Sequence, residues 1–140
     1  MPFSDQELQH YSRQIHLKGF GLEAQVKLKN AKVLVVGAGG LGCPILLFLA
    51  SAGVGSLGVM DQDIVDRSNL QRQVLYHETD IGSSKAEVAV SRLKAMNSNI
   101  EIQAIPMKLT ESNAQEVFSG FSIVVDATDN FEARYLIDEV

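Results

Sequence analysis

The chain has 140 residues, 46% apolar and 21% charged, enough for one hydrophobic core and too few for two. Seventeen acids against twelve bases leave a formal net charge of −5, which excludes a general nucleic-acid or anionic-membrane surface but leaves room for a local basic pocket. A single cysteine, Cys43, excludes an internal disulfide and a cysteine-rich zinc site and fits a reducing, cytoplasmic setting; no secretory signal opens the chain, and no stretch nears the roughly 20 apolar residues of a membrane span.

Ser4 with Glu7 three residues on predicts a capping box and a helix through "DQELQHYSRQIHL". Gly19 and Gly21 interrupt it, and "LEAQVKLKN" resumes helical spacing with Leu22, Val26 and Leu28 near one face. Residues 1–30 thus read as a helical arm, weakly amphipathic and free to pack against a partner, ahead of a nucleotide-binding core over 31–140. "KVLVVGAGG" is an apolar, β-branched run ending in glycines, a fully buried strand. "LGCPILLFLASAG" follows as a nearly all-apolar helix with Pro44 in its first turn, its leucines and Phe48 assigned to the core, ending at Gly53 or Gly55.

"SLGVMD" is the second strand, "QDIVDRSN" a polar loop and "NLQRQVLY" a short helix. A second capping box, Ser84 to Glu87, opens "KAEVAVSRLKAMN", in which Val88, Leu93 and Met96 form an apolar stripe. "IEIQAIP" is a third strand, "ESNAQEVF" a helix, "FSIVVDA" a fourth strand and "NFEARYLIDEV" the start of another helix. This alternation predicts right-handed crossovers and an α/β, Rossmann-like, mostly parallel sheet with helices on both faces. The pattern stops inside a helix with four strands in hand, so the residues read as the N-terminal part of a longer domain.

"GAGGLG" sets Gly37, Gly39 and Gly42 at G-x-G-x-x-G spacing between a predicted strand and a predicted helix, where backbone N–H groups can meet phosphate. Asp61 ends the next strand, where an acid can accept from ribose hydroxyls. The bland alternative is that the glycines only permit helix–strand packing. Which nucleotide is bound depends on the surroundings. Asn69 and Arg72 follow the second strand, Lys85 opens a helix, and Asp129 and Asn130 follow the fourth strand at the same sheet edge. Singly, Arg72 and Lys85 could be solvated helix charges and Asp129 an N-cap. Together they surround the phosphate end with polar groups, which a triphosphate needs and an NAD-dependent dehydrogenase does not. Cys43 reads as a buried small side chain, and His10, His16 and His77 as structural or solvated.

Five segments in order, "YSRQIHLKGFG", "VLVVGAGGLGCP", "GVMDQDIVDRSNLQRQVLY", "DIGSSKAEVA" and "VVDATDNFEARYLI", carry a resemblance to the HesA/MoeB/ThiF family, bacterial relatives of ubiquitin-activating enzymes, in its molybdopterin branch and nearly as well its thiamine branch. The resemblance implies that ATP fills the pocket and that "SNLQRQ", Ser68 to Gln73, holds its phosphates, with Ser68, Asn69, Leu70, Gln71 and Arg72 among the binding residues. It further implies that Gly40 lines the nucleotide, Asp61 takes the ribose and Asp63 supports that loop. Asn69, Arg72 and Lys85 would contact phosphates, with Asp129 the magnesium-linked carboxylate. Arg13 resembles an arginine that reaches the triphosphate from a second subunit, which requires a homodimer; Arg134 matches a family position without a physical account of its own. The implied reaction is adenylation of the C-terminal glycine of a small ubiquitin-like sulfur carrier. The family's reactive cysteine and C-x-x-C zinc ligands lie further along, so structural zinc is expected only beyond Val140. A nucleotide-binding module without turnover is the alternative from another class.

Overall fold

A computed structural model describes residues 2–140. Strands β1 (Lys32–Val36), β2 (Ser56–Met60), β3 (Glu101–Ile105) and β4 (Ile123–Asp126) pair in parallel in the order β3-β2-β1-β4. Because strand side chains alternate, Val33 and Val35 join Leu57 and Val59 on one face, while Leu34 and Val36 join Met60 on the other. Helices α4 (Gly42–Ala52) and α5 (Lys85–Met96) cover the first face through Leu46, Ala50, Ala89 and Leu93. Helices α6 (Glu111–Phe118) and α7 (Phe131–Glu139) cover the second through Ala114, Phe118, Leu136 and Ile137. The expected doubly covered parallel sheet is therefore present, and burial on both faces is why β1 reads as an unbroken apolar run. Truncating a fully buried side chain such as Leu46 to alanine would cost roughly 2–5 kcal/mol.

Several local expectations are corrected. The first helix is two, α1 (Asp5–His10) and α2 (Ser12–Ile15), parted at Tyr11. The Tyr11 side chain is buried, and its hydroxyl accepts from Asn97 Nδ2 at 2.8 Å, so a tertiary anchor turns the backbone. "NLQRQVLY" contains no α-helix: Asp66 caps a single 3-10 turn, Arg67–Asn69, and irregular turns follow. The Ser4–Glu7 capping box is complete, but at the second only Ser84 contributes, its Oγ accepting from the Glu87 N–H at 3.4 Å. On α5 the buried apolar residues are Ala86, Ala89, Val90 and Leu93, with Met96 exposed. Phe48 is 75% exposed rather than core, because Cys43, Leu46 and Ala50 define the inward face of α4 and Phe48 lies two residues from Leu46, on the outside.

The arm packs on its own chain. In α3 (Gly21–Asn30) the buried residue is not an aliphatic but Gln25, Leu22 being exposed. Gln25 Nε2 and Gln14 Nε2 both donate to the Ala52 carbonyl, at 2.9 and 2.7 Å, and Lys29 pairs with Glu7 at 2.8 Å. Ala52 ends α4, at the amino-terminal edge of the sheet. Gly53 terminates the helix at φ +92°, where an added Cβ would strike Tyr11 and Gln25. The arm is thus fastened at the end of the sheet opposite Gly37 and Asp61.

Candidate functional site

A cavity of about 540 Å³ opens at the carboxyl edge of the sheet, the edge at which parallel α/β proteins bind ligands. Strand order sorts its lining. Met107 and Leu109, beyond β3, stand with Met60 as an apolar wall; Asp61, Gln62 and Asp63 follow β2; the glycine loop follows β1; and Thr128, Asp129 and Asn130 follow β4. The edge therefore runs from apolar wall to acid, to open backbone, to a second acid, a sequence suited to a base, a ribose and phosphates.

The glycine loop is held from both sides through Ala38. Its N–H donates to Asp61 Oδ2 at 2.8 Å, and its carbonyl accepts from the Tyr76 hydroxyl at 2.5 Å. Asp61 Oδ1 accepts the Asp63 N–H at 2.8 Å, so one carboxylate ties the first loop to the second. Gly37 has φ +103°, and a Cβ on it would meet the Ala127 carbonyl at 2.7 Å. Gly42 is a packing glycine that does not line the cavity; a Cβ there would lie 1.8 Å from the Gly37 carbonyl. Gly39 and Gly40 do line it, and the N–H groups of Gly39, Gly40 and Leu41 meet no acceptor among the described residues. Those unpaired donors at the amino end of α4 form an anion cradle.

Two cations flank the cradle. The Arg72 stem lies 3.4 Å from the position of a Gly40 Cβ, and its Nη1 donates to the Ser68 carbonyl at 3.2 Å. Lys85 is only 5% exposed, yet its ammonium makes no hydrogen bond among the described residues and has Asp63 Oδ2 at 4.0 Å as its ion-pair partner. A buried ammonium so loosely paired is costly unless another anion completes its shell. Asp129 is exposed at the cavity and unpartnered among the described residues, while its neighbours are fixed. Asn130, not Asp129, caps α7, accepting the Ala133 N–H at 2.8 Å. Arg134 now has a physical account: its Nη2 donates to the Thr128 carbonyl at 3.2 Å and its Nε lies 3.8 Å from Asp126 Oδ2, bracing the loop that carries Asp129.

The expected residues are not all brought together. Gly37, Gly39, Gly40, Asp61, Asp63, Arg72, Lys85, Asp129 and Asn130 converge on the cavity. Ser68, Asn69, Leu70 and Gln71 do not line it. The Ser68 hydroxyl donates to Asp66 Oδ1 at 2.6 Å, Asn69 Oδ1 accepts the Asp66 N–H at 2.9 Å, Leu70 packs against the core and Gln71 is exposed. The Ser68 hydroxyl and N–H hold the Asp66 carboxyl below its ordinary range. Arg13 is exposed on the arm and does not line the cavity of its own chain. Cys43 is inert by position: burial raises its thiol, and its Sγ lies 3.5 Å from the Ala38 carbonyl. Burial likewise keeps the Tyr76 phenol protonated, as its donation to Ala38 requires. Sequence reasoning missed the wall of Met107 and Leu109, for which the only signal was apolar residues continuing past the end of a strand.

The chain is 49% identical over 139 residues to the sulfur carrier protein adenylyltransferase of Thermus thermophilus, covering 99% of this chain and 51% of that protein. It is 46% identical over 136 residues to the probable adenylyltransferase/sulfurtransferase MoeZ of Mycobacterium tuberculosis, covering 97% of this chain and 35% of the relative. It thus spans between a third and a half of the length of these relatives. Among solved structures, the Escherichia coli tRNA N6-threonylcarbamoyladenosine dehydratase TcdA in complex with ATP superposes with a TM-score of 0.85 at 30% identity, over 91% of this chain and 52% of that one. Escherichia coli MccB with ATP superposes with a TM-score of 0.79 at 32% identity, over 93% and 40%. The ThiF family model matches residues 11–140, nearly the whole of what has been described, and the chain belongs to that family.

Proposed function

We propose that the chain carries the ATP-binding part of an adenylyltransferase that activates the C-terminal glycine of a small ubiquitin-like sulfur-carrier protein, of the kind used in molybdopterin or thiamine synthesis. In this reading the carrier's carboxylate attacks the α-phosphate of ATP, the bond to the β-phosphate breaks, and an acyl-adenylate and pyrophosphate result. The observation that carries it is Lys85, a buried ammonium facing the cavity without a hydrogen bond, beside Arg72 and the unpaired glycine-loop donors. Such a concentration of donors suits a triphosphate, and a nicotinamide does not use it. The names of the relatives support the same reading, as does the ATP bound in structural neighbours of the fold.

Each residue then has a task. Met60, Met107 and Leu109 enclose the base, and Asp61 accepts from the ribose. The glycine-loop N–H groups, Arg72 and Lys85 hold the phosphates in line and neutralise the charge that develops on them, which is where most of the rate acceleration in phosphoryl-type transfer arises. Among the described residues no three His, Cys, Asp or Glu side chains cluster as a metal cage. The free Asp129 carboxylate nonetheless fits magnesium, a cation that keeps its waters and shares phosphate oxygens with one or two carboxylates. Bound there, magnesium would supply further charge neutralisation. Arg13 would act from the second subunit of a homodimer, since its own arm is fastened at the far edge of the sheet.

The test is ATP–pyrophosphate exchange on the full-length protein, with and without a ubiquitin-like carrier ending in glycine. Carrier-dependent exchange is expected. Tight Mg-ATP binding with no exchange for any carrier would leave only a nucleotide-binding module, and preferential NADH binding would sink the reading outright.

A further inference from the structure

One buried residue behind the glycine loop has no task in the reaction as described. Tyr76 is 4% exposed and does not line the cavity, yet its hydroxyl donates to the Ala38 carbonyl at 2.5 Å. Its ring belongs to the buried cluster on the first face of the sheet, and its N–H donates to the Gln73 carbonyl at 3.2 Å. A phenylalanine would fill that space equally well, so the hydroxyl needs a reason of its own. The other donor near the Ala38 carbonyl is the Cys43 thiol at 3.5 Å, a weak one.

That reason lies in the peptide that joins Ala38 to Gly39. No peptide bond among the described residues is cis, and in a planar trans peptide the carbonyl and the N–H point in opposite directions. Holding the Ala38 carbonyl on the buried side therefore turns the Gly39 N–H to the other side. Gly39 lines the cavity, and that N–H meets no acceptor among the described residues. Sterics do not fix the arrangement. Gly39 has a negative φ here, but without a Cβ it admits a positive one, so the peptide can rotate by half a turn and bring the Ala38 carbonyl round to the cavity. The groups on either side are already pinned: the Ala38 N–H donates to Asp61 Oδ2 at 2.8 Å, and the Gly39 carbonyl accepts the Cys43 N–H at 3.0 Å. The peptide between them is left to Tyr76.

We propose that Tyr76 is a positioning residue for the nucleotide site, its hydroxyl locking the Ala38–Gly39 peptide so that the Gly39 N–H faces the cavity and the Ala38 carbonyl faces away. This rests on the adenylyltransferase reading, in which an anion fills the cradle, and adds to it the group that aims the cradle's first donor. The lock acts from behind, since Tyr76 touches the loop and not the ligand. Burial holds the phenol well above its ordinary pKa, so it remains a donor. Without the lock, a phosphate would meet a peptide free to present its carbonyl oxygen, which repels an anion, in place of its N–H.

The role predicts a loss confined to the phosphate end of the ligand, which a packing role would not give. Tyr76→Phe keeps the ring and removes only the hydroxyl. In calorimetry on the full-length protein it should weaken Mg-ATP binding about tenfold or more, the range for one lost hydrogen bond to a charged group, and leave adenosine binding unchanged. Incorporating para-aminophenylalanine at Tyr76 restores a donor at the same place and should recover most of the Mg-ATP affinity. In wild-type protein labelled with 15N-glycine, the Gly39 amide resonance should move on addition of Mg-ATP and stay in place with adenosine, a readout that needs no variant. Unchanged Mg-ATP affinity in Tyr76→Phe, or a Gly39 resonance that ignores bound Mg-ATP, would overturn the inference and leave the adenylyltransferase reading standing. Equal losses for Mg-ATP and adenosine, with no recovery from the amino analogue, would make Tyr76 a packing residue. A wild type that binds adenosine but not Mg-ATP would overturn both.

Discussion

Replacing Asp61 with alanine removes two functions at once, and their sizes can be separated. The carboxylate accepts the N–H groups of Ala38 and Asp63, both at 2.8 Å, before any ligand arrives. Ala38 is fully buried, so its orphaned N–H carries a desolvation cost of about 1–3 kcal/mol, whereas the exposed loop at Asp63 can turn to water. For a chain of this size that lowers the melting temperature by roughly 3–10 °C, well short of unfolding a domain stable by about 5–15 kcal/mol. The ligand effect comes on top, since each charge-assisted bond to a ribose hydroxyl contributes roughly 1.5–3 kcal/mol. A cycle isolates it: ATP and 2′-deoxy-ATP are titrated calorimetrically into wild type and Asp61→Ala. The wild type should prefer ATP by about tenfold or more, the variant should bind both alike, and loop distortion should cancel because it affects both ligands. If Asp61→Ala still discriminates as the wild type does, Asp61 is a loop brace and not the ribose acceptor, however far affinity has fallen.

The glycines of the loop should part company in thermal melts. Gly42→Ala drives a methyl to 1.8 Å from the Gly37 carbonyl and should destabilise severely, whereas Gly40→Ala meets the movable Arg72 stem at 3.4 Å and should melt near the wild type; a normal melt for Gly42→Ala would refute its packing role. Acid should loosen the arm first. Burial pushes Glu7 up, but the Lys29 ammonium and the Ser4 N–H and hydroxyl outweigh it, so its folded pKa is lowered and its stabilisation, present above the ordinary carboxylate range, is lost as pH falls through the folded value. Glu7→Gln should therefore flatten the fall in melting temperature below about pH 4, and an unchanged acid limb would exclude Glu7 as its source. Arg13→Ala should reduce pyrophosphate exchange far more than it lowers the melting temperature, and mixing it with Arg72→Ala should restore part of the activity. Mixed dimers confirmed by native mass spectrometry but inactive would return Arg13 to a structural role.

How much of this was legible depended on whether a feature is written in local pattern or in tertiary contact. The four strands stood out because a doubly covered parallel sheet demands β-branched runs such as "KVLVV", and the cavity edge followed because parallel strands bring all their carboxyl ends to one side. The break at Tyr11 was hidden because Asn97, its partner, lies 86 residues away. Phe48 was misassigned because α4 is apolar almost all round, which leaves no polar stripe to say which side faces water. Gln25 was passed over because a buried amide looks like a surface amide until the carbonyl it caps, Ala52, is known.

The motif after β2 shows the same limit in miniature. Read as a string, Ser68 to Arg72 looks like one ligand-binding unit, but a chain winding through a 3-10 turn sends successive side chains in different directions. Ser68 and Asn69 are turned back on Asp66 to build the turn, Leu70 is turned inward to the core, and Gln71 is turned out to solvent. Only then does the chain come round to the cavity, at Arg72, and to the glycine loop, at Gln73. The residues before Arg72 shape the turn that carries its side chain to the cavity. Their substitution should change the position of Arg72 before it changes any contact of their own.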